Sequence, residues 1–159
     1  MDTLSTLIDR QAIVDLIHDY ARLVDDGRPD EVAELFTQDC TFRSTRGRNG
    51  TSTGRDAVRE RMHVLLSTFR STSHHVSNIQ VTFTGPDRAE GLTYLYAWHD
   101  FTEDRPVGHL WARYVDVFQR TPTGWRIAER SLHVTGEKDF AFGWLPPYRS
   151  GGDETAEHG

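Results

Sequence analysis

The sequence predicts an α+β domain in which helices pack on one face of a curved, mostly antiparallel sheet. In the first 70 residues, apolar side chains recur every three or four positions, the period of a helix with one buried face. From about residue 75 onward the period is two, and Gly- and Pro-containing turns separate four long segments. Helices followed by a run of antiparallel strands are typical of the α+β class.

The predicted elements follow one another without a linker. A helix over 4–26 ends at Gly27, a natural residue for a helix C-terminus. A second helix covers 30–36 with Asp30 as its N-cap, and Asn49-Gly50 predicts the turn of a hairpin over 40–52. The third helix opens at a sequence resembling a capping box and ends near Phe69. The remaining chain predicts strands over 75–84, 89–101, 109–120 and 124–134.

Composition limits the classes of function. The 159 residues predict a single domain over 1–150 and a polar, disordered tail over 151–159. The net charge of −6 disfavours nucleic acid and anionic membranes as partners. The sequence has no apolar run long enough to span a bilayer, and Met1–Ser5 lacks the features of a signal peptide. With Cys40 as the single cysteine, we expect a cytoplasmic protein without a disulfide.

A curved sheet leaves a cavity between its concave face and the helices, and such cavities are mostly apolar. Six aromatic residues are candidates to line it, although any of them could equally belong to the ordinary core: Phe42, Tyr94, Tyr96, Trp98, Trp111 and Tyr114.

Asp25 and the pair His74–His75 are the strongest candidates for chemistry. Asp25 ends the first helix, and the two histidines open a strand. A carboxylate that orients an imidazole is sufficient for proton abstraction. Strict alternation puts His75 on the same face as Ile79, whereas a bulge at the start of the strand would turn His74 inward instead. Alternation therefore favours His75 as the base and a bulge would favour His74, so the residues alone leave both open; the histidine that is not the base is then a structural one.

Other polar residues have weaker predicted roles. Tyr20 lies on the apolar stripe of the first helix and is either a core residue or a donor to a substrate carbonyl. His99 is either a second acid or a surface residue, and His133 could reach the mouth of the pocket. Arg113 and Arg130 are expected to pair with acidic residues.

No cofactor or metal is predicted. The histidines lack the spacings of known zinc motifs, and adjacent strand residues point to opposite faces. Glycine-rich nucleotide-binding motifs and the Gly-x-Ser-x-Gly elbow of serine hydrolases are also absent from the sequence.

Three segments of the sequence resemble the SnoaL-like branch of the nuclear-transport-factor-2-like superfamily of cone-shaped α+β domains. They lie at 12–20, 30–42 and 114–127, and the resemblance covers about residues 5–135. It implies a cone-shaped, mixed sheet with three helices on its concave face. It also implies a homo-oligomer, a dimer or trimer, formed through the outer face of the sheet.

Within that superfamily, the chain is most similar to a lyase group of scytalone dehydratase, bile-acid 7α-dehydratase and hexachlorocyclohexane dehydrochlorinase. Tyr20, Asp25 and His74 match the positions of this group, which implies His74 as base, Asp25 as its partner and Tyr20 as a substrate contact. Ser44 stands where ketosteroid isomerase has its carboxylate base. The resemblance therefore implies cofactor-free elimination on a small hydrophobic carbonyl compound of polyketide or terpenoid origin. The alternatives are a cyclase, an isomerase or a non-catalytic binding module.

Overall fold

Apolar periodicity determines the first helix of the computed structural model, which describes residues 3–44 and 50–140. Helix α1 spans Thr3–Asp25 and buries one stripe of side chains, among them Ile13, Ile17 and Tyr20. Its end is followed by Gly27 with a φ of +66°, a left-handed conformation that glycine adopts at little cost. The predicted helix over 4–26 is confirmed.

Helix α2 is shorter than predicted and begins differently. It spans Pro29–Glu34, with Arg28 at the N-cap and Pro29 in the first turn, so the prediction of Asp30 as N-cap is wrong. Phe36 belongs to strand β1 (Phe36–Ser44) instead of the helix, because its fully buried side chain lies where β1 pairs with the last strand of the sheet.

Helix α3 spans Arg55–Leu66, and its N-cap is Gly54, without a side-chain hydrogen bond. The predicted capping box is therefore wrong, and the φ of +87° at Gly54 explains why glycine stands there. The predicted hairpin is present as β1 and β2 (Thr51–Thr53), which pair antiparallel. Of its turn, residues 45–49 lie outside the described residues, as do 141–150 and the predicted tail 151–159.

The remaining strands are β3 (Phe69–Gly85), β4 (Arg88–Phe101), β5 (Gly108–Thr121) and β6 (Gly124–Lys138). Within the described residues the sheet has the order β2-β1-β6-β5-β4-β3; β1 and β6 are parallel and the other pairs antiparallel. Helix α1 packs against β3 and β6, and α3 packs against β1 and α2. The α+β class and the cone-shaped mixed sheet are confirmed. No helix in the described part of the chain is long and apolar enough to cross a membrane.

Strand β3 begins six residues before the predicted start and contains a bulge. Ser77 pairs with Tyr94 and Gln80 with Leu92, so β3 uses three steps where β4 uses two. The extra residue lies at Asn78, whose φ is +49°. A one-residue insertion reverses the faces of all side chains beyond it, so the strand has one alternation before Asn78 and the opposite one after it.

A buried ion pair connects β5 and β6 below the cavity. The Arg130 guanidinium donates from Nε to Asp116 Oδ1 at 2.9 Å and from Nη2 to Oδ2 at 2.7 Å, and both side chains are 0% exposed. The same cation lies 4.1 Å from the ring centre of Tyr20 and 4.0 Å from that of Tyr114. The predicted pairing of Arg130 with an acid is confirmed, and Arg113 instead lies over the ring of Tyr94.

Replacing Asp116 with Asn should destabilise the protein strongly. The change leaves the Arg130 charge buried without its counter-charge, which typically costs about 3–5 kcal/mol. Chemical denaturation of Asp116→Asn and of the control Asp19→Asn measures the difference. Asp19 forms an exposed pair with Arg22, which is expected to contribute less than about 1 kcal/mol. Equal losses in the two variants would contradict this role of the buried pair.

Candidate active site

Asp25 and His74 form a hydrogen-bonded pair at the junction of α1 and β3. The Nδ1 atom of His74 lies 2.6 Å from Oδ1 of Asp25, and the backbone N–H of His74 donates to Oδ2 at 2.8 Å. The Thr72 hydroxyl donates to Oδ1, also at 2.8 Å. Three donors therefore fix the carboxylate, and the carboxylate in turn fixes the imidazole ring.

The bulge at Asn78 explains why His74 rather than His75 meets Asp25. His74 pairs with Ala97 and Val76 with Leu95, and both partners belong to the buried face of β4. Without the extra residue, the alternation that buries Val81 would have turned His75 inward. His75 is exposed on the opposite face, where its Nε2 lies 3.1 Å from the Ser73 hydroxyl.

The environment of Asp25 keeps its carboxyl group ionised. Partial burial on its own raises the pKa of Asp25, but the hydrogen bonds from the His74 ring, the His74 backbone and Thr72 together lower it below its ordinary value of 3.8. An ionised carboxylate accepts the Nδ1–H of the neutral imidazole. The lone pair of His74 then lies on Nε2, on the far side of the ring from Asp25.

His74 lines a mostly apolar cavity between the helices and the concave face of the sheet. The cavity has a volume of about 130 Å³. For comparison, an apolar cavity of about 150 Å³ holds one benzene molecule. Its lining residues come from α1, α3 and all the long strands: Tyr20, Val24, Phe42, Ser44, Arg61, Met62, Leu65, Phe69, His74, Leu95, His99, Leu110, Tyr114, Leu132, Val134, Glu137 and Phe140.

Tyr20 contributes a buried phenol to this cavity. Its side chain is 4% exposed and makes an edge-on ring contact with Tyr114 at 5.6 Å between centroids. Burial raises the pKa of the Tyr20 hydroxyl despite the opposing effect of Arg130, and burial raises the pKa of Tyr114 well above its ordinary value. Both hydroxyls therefore remain protonated at neutral pH and are able to donate a hydrogen bond.

His99 lies beside His74, with 5.4 Å between the ring centroids. It is 5% exposed and packs against Phe69 and Phe140. Burial, together with the nearby His74, lowers the pKa of His99 to about 3. At neutral pH the imidazole of His99 is therefore uncharged. It is a polar residue of the cavity lining and not a general acid.

Several predicted lining residues lie outside the cavity. Tyr94, Tyr96 and Trp98 occupy the alternate positions of β4 to Leu95, Ala97 and His99, which face inward. Tyr96 contacts His109 through a hydrogen bond of 2.8 Å, and Trp111 is 44% exposed. Of the six aromatic candidates, Phe42 and Tyr114 line the cavity.

The two faces of β4 carry different side chains. The inward positions include the small residues Ala89, Gly91 and Ala97, and the Phe118 ring packs against Gly91. The large aromatic rings occupy the opposite face. His133 is also outside the cavity lining, because it alternates with Leu132 and Val134, which both face inward.

The sequence reasoning missed two charged residues in the cavity wall. Arg61 follows Val58 by three positions and precedes Leu65 by four, so helical spacing places it on the buried face of α3. Glu137 follows a register shift in β6 between Val134 and Gly136, and no simple alternation reveals its direction. Within residues 3–44 and 50–140, no group of three or more His, Cys, Asp or Glu side chains is placed to hold a metal ion.

A curved mixed sheet closed by three helices around such a cavity defines a cone-shaped α+β protein of the nuclear-transport-factor-2-like class. The sequence model of the SnoaL-like domain matches residues 5–131, and the chain belongs to this family. A protein of Mycobacterium tuberculosis strain H37Rv with no described function is 29% identical over 133 residues, 82% of this chain and 88% of the relative.

Some solved structures of similar fold carry the names of enzymes. A protein named "Putative Scytalone Dehydratase" from Novosphingobium aromaticivorans is 32% identical, with a TM-score of 0.85 over 96% of this chain and 99% of that one. The hexachlorocyclohexane dehydrochlorinase LinA-type3 from Novosphingobium barchaimii is 20% identical, with a TM-score of 0.78 over 91% of this chain and 99% of that one. At 20% identity, the second similarity concerns the fold alone.

Acid should destabilise the protein through His99 first and through Asp25 only at lower pH. Between about pH 6.5 and 3 the unfolded chain binds a proton at His99 that the folded protein does not, so stability falls as the pH falls across this range. The full effect is on the order of 4 kcal/mol. Asp25, whose folded pKa is depressed, adds its loss below about pH 4.

Denaturation curves recorded from pH 7 to pH 3 measure this effect. His99→Gln should flatten the dependence of unfolding free energy on pH above pH 4, whereas Asp25→Asn should keep a slope there and remove the further loss below about pH 4. His18→Gln is the matched control, since His18 is exposed on α1. A slope in His99→Gln equal to that of the wild type would contradict the assignment.

Proposed function

We propose that this protein is a cofactor-independent lyase that eliminates water from a small hydrophobic carbonyl compound. The observation that carries the proposal is the contact of 2.6 Å between His74 and Asp25 at the wall of a mostly apolar cavity. The similarity to a protein named as a scytalone dehydratase supports the choice of elimination. The cavity volume favours a substrate of one ring, and the family resemblance is the basis for proposing a polyketide or terpenoid origin.

In this mechanism His74 is the base. Its Nε2 takes the proton alpha to the substrate carbonyl, and the electron pair of the broken C–H bond forms an enolate. Asp25 accepts the Nδ1–H bond throughout and stabilises the imidazolium. The enolate then forms the C=C bond as the C–O bond to the leaving hydroxyl breaks. The imidazolium returns its proton to that hydroxyl, which leaves as water.

Tyr20 and His99 have supporting roles. The protonated Tyr20 hydroxyl donates to the carbonyl oxygen and stabilises the enolate. The neutral His99 contacts the substrate through hydrogen bonding and does not supply the proton for the leaving group. Phe42 provides part of the apolar wall. We also propose that the protein acts as a homo-oligomer, a dimer or trimer, with the aromatic outer face of the sheet as the contact.

A cyclase or isomerase of the same fold is the second candidate. The Glu137 carboxylate in the cavity wall favours it, because that group offers a second base for proton transfer. Product mass separates the two reactions, since elimination removes one water and cyclisation by addition or isomerisation does not.

His74→Ala should lower kcat by about 10²–10⁴-fold, the usual contribution of a general base. The assay follows enone formation by ultraviolet absorbance on a panel of monocyclic β-hydroxyketones, with exchange of the alpha proton in heavy water as a second readout. His75→Ala is the matched control, because the neighbouring imidazole lies on the outer face of the sheet. A folded His74→Ala protein with the rate of the wild type would refute the mechanism.

Tyr20→Phe should lower kcat by about 10²-fold and change KM little, because the hydroxyl bond strengthens as charge develops on the carbonyl oxygen. Steady-state kinetics on the same panel measure the two constants separately. An increase of KM at unchanged kcat would assign Tyr20 to ground-state binding instead.

A further inference from the structure

A cationic side chain lines the same cavity as His74. Arg61 reaches the wall from α3, and its guanidinium lies 4.5 Å from the centre of the Phe42 ring. Its Nη1 also donates to the Gly50 carbonyl at 3.3 Å and to the Ser52 hydroxyl at 3.4 Å. These contacts are at the long end of the hydrogen-bond range, and they hold the cation at the end of the cavity formed by β1.

Arg61 and His74 mark two different ends of the cavity. Phe42, beneath Arg61, belongs to β1, whereas His74 belongs to β3, and β6, β5 and β4 separate these strands in the sheet. Tyr20 lies close enough to Arg61 that the positive charge lowers the pKa of its phenol, against the larger effect of burial. The β1 end of the cavity therefore offers a cationic N–H donor to an oxygen, although the Glu137 carboxylate also lies in the wall, while His74 at the β3 end accepts a proton.

Burial makes the interaction with an anion more favourable. The Arg61 guanidinium is half-buried at the mostly apolar cavity wall, and burial lowers its pKa. In such a medium the attraction between opposite charges is several times stronger than in water. A guanidinium also matches a carboxylate or phenolate oxygen with paired N–H donors.

We propose that Arg61 is a specificity-determining residue and that the substrate carries an anionic oxygen, a carboxylate or an ionised phenol, at the β1 end of the cavity. The inference rests on the proposed function in taking this cavity as the substrate site. It deepens that function by naming the substrate class: a molecule of one ring whose acidic C–H lies at His74 and whose anionic group lies at Arg61.

Two probes of equal shape and different charge test the inference. Benzoate and benzamide share one ring of the size that the cavity holds, and only benzoate is anionic. Calorimetric titration of the wild-type protein should show benzoate binding at least about tenfold more tightly, the usual effect of a charge-assisted hydrogen bond. Arg61→Gln should remove the preference, and Arg61→Lys should keep part of it.

Arg59→Gln is the matched control. Arg59 lies two residues away on the same helix and pairs with Glu34 and Asp56, outside the cavity lining. The preference for benzoate should be unchanged in this variant. Because Glu137 shares the cavity wall in every protein compared, its repulsion of an anion cancels from the comparison.

Three results would overturn the inference: equal binding of the two probes to the wild type, no binding of either probe, or an undiminished preference in Arg61→Gln. The comparison of probes on the wild type holds even if Arg61→Gln fails to fold. Binding needs no turnover, so a charge preference that depends on Arg61 stands if no elimination is found. Conversely, activity lost in His74→Ala supports the lyase even when both probes bind equally.

Discussion

The carboxylate of Asp25 is the contact on which the candidate site depends. It ends α1 and accepts hydrogen bonds from the Thr72 hydroxyl and from the backbone and ring of His74. One side chain therefore joins the helix layer to the edge strand of the sheet and also selects the tautomer of the imidazole. The same carboxylate oxygens therefore have a structural and a chemical role. Their hydrogen bonds hold β3 against α1 and also direct Nε2 of His74 away from the carboxylate.

The two arginines near the cavity have different surroundings: Arg130 is fully buried, whereas Arg61 is half-buried at the wall and has the proposed role in substrate choice. Arg130 lies between the rings of Tyr20 and Tyr114 and is neutralised by Asp116, so it supports the floor of the cavity. Arg61 lies at the cavity wall itself, over Phe42. An apolar cavity with few charged groups gives each of them a strong effect, since little water screens them.

Periodicity predicted the fold class and most elements, but the ends of elements depended on tertiary contacts. Phe36 and Phe69 fit a helical stripe by spacing, yet each pairs with a neighbouring strand that is distant in sequence. The dyad followed from the resemblance, and local sequence left His74 and His75 open. Alternation also could not say which face of β4 is concave, so Tyr96 and Trp98 were assigned to the wrong side. No role was predicted for Arg61, although its helical spacing from Val58 and Leu65 places it on the buried face of α3.

The bulge at Asn78 divides β3 into two segments with independent faces. After the bulge, Ile79, Val81 and Phe83 pack toward the core; before it, His74 faces the cavity. Substitutions in the packing segment therefore leave the direction of the imidazole unchanged. A single residue in a left-handed conformation thus lets one strand direct His74 to the cavity and Ile79, Val81 and Phe83 to the core, although their positions differ by an odd number of residues.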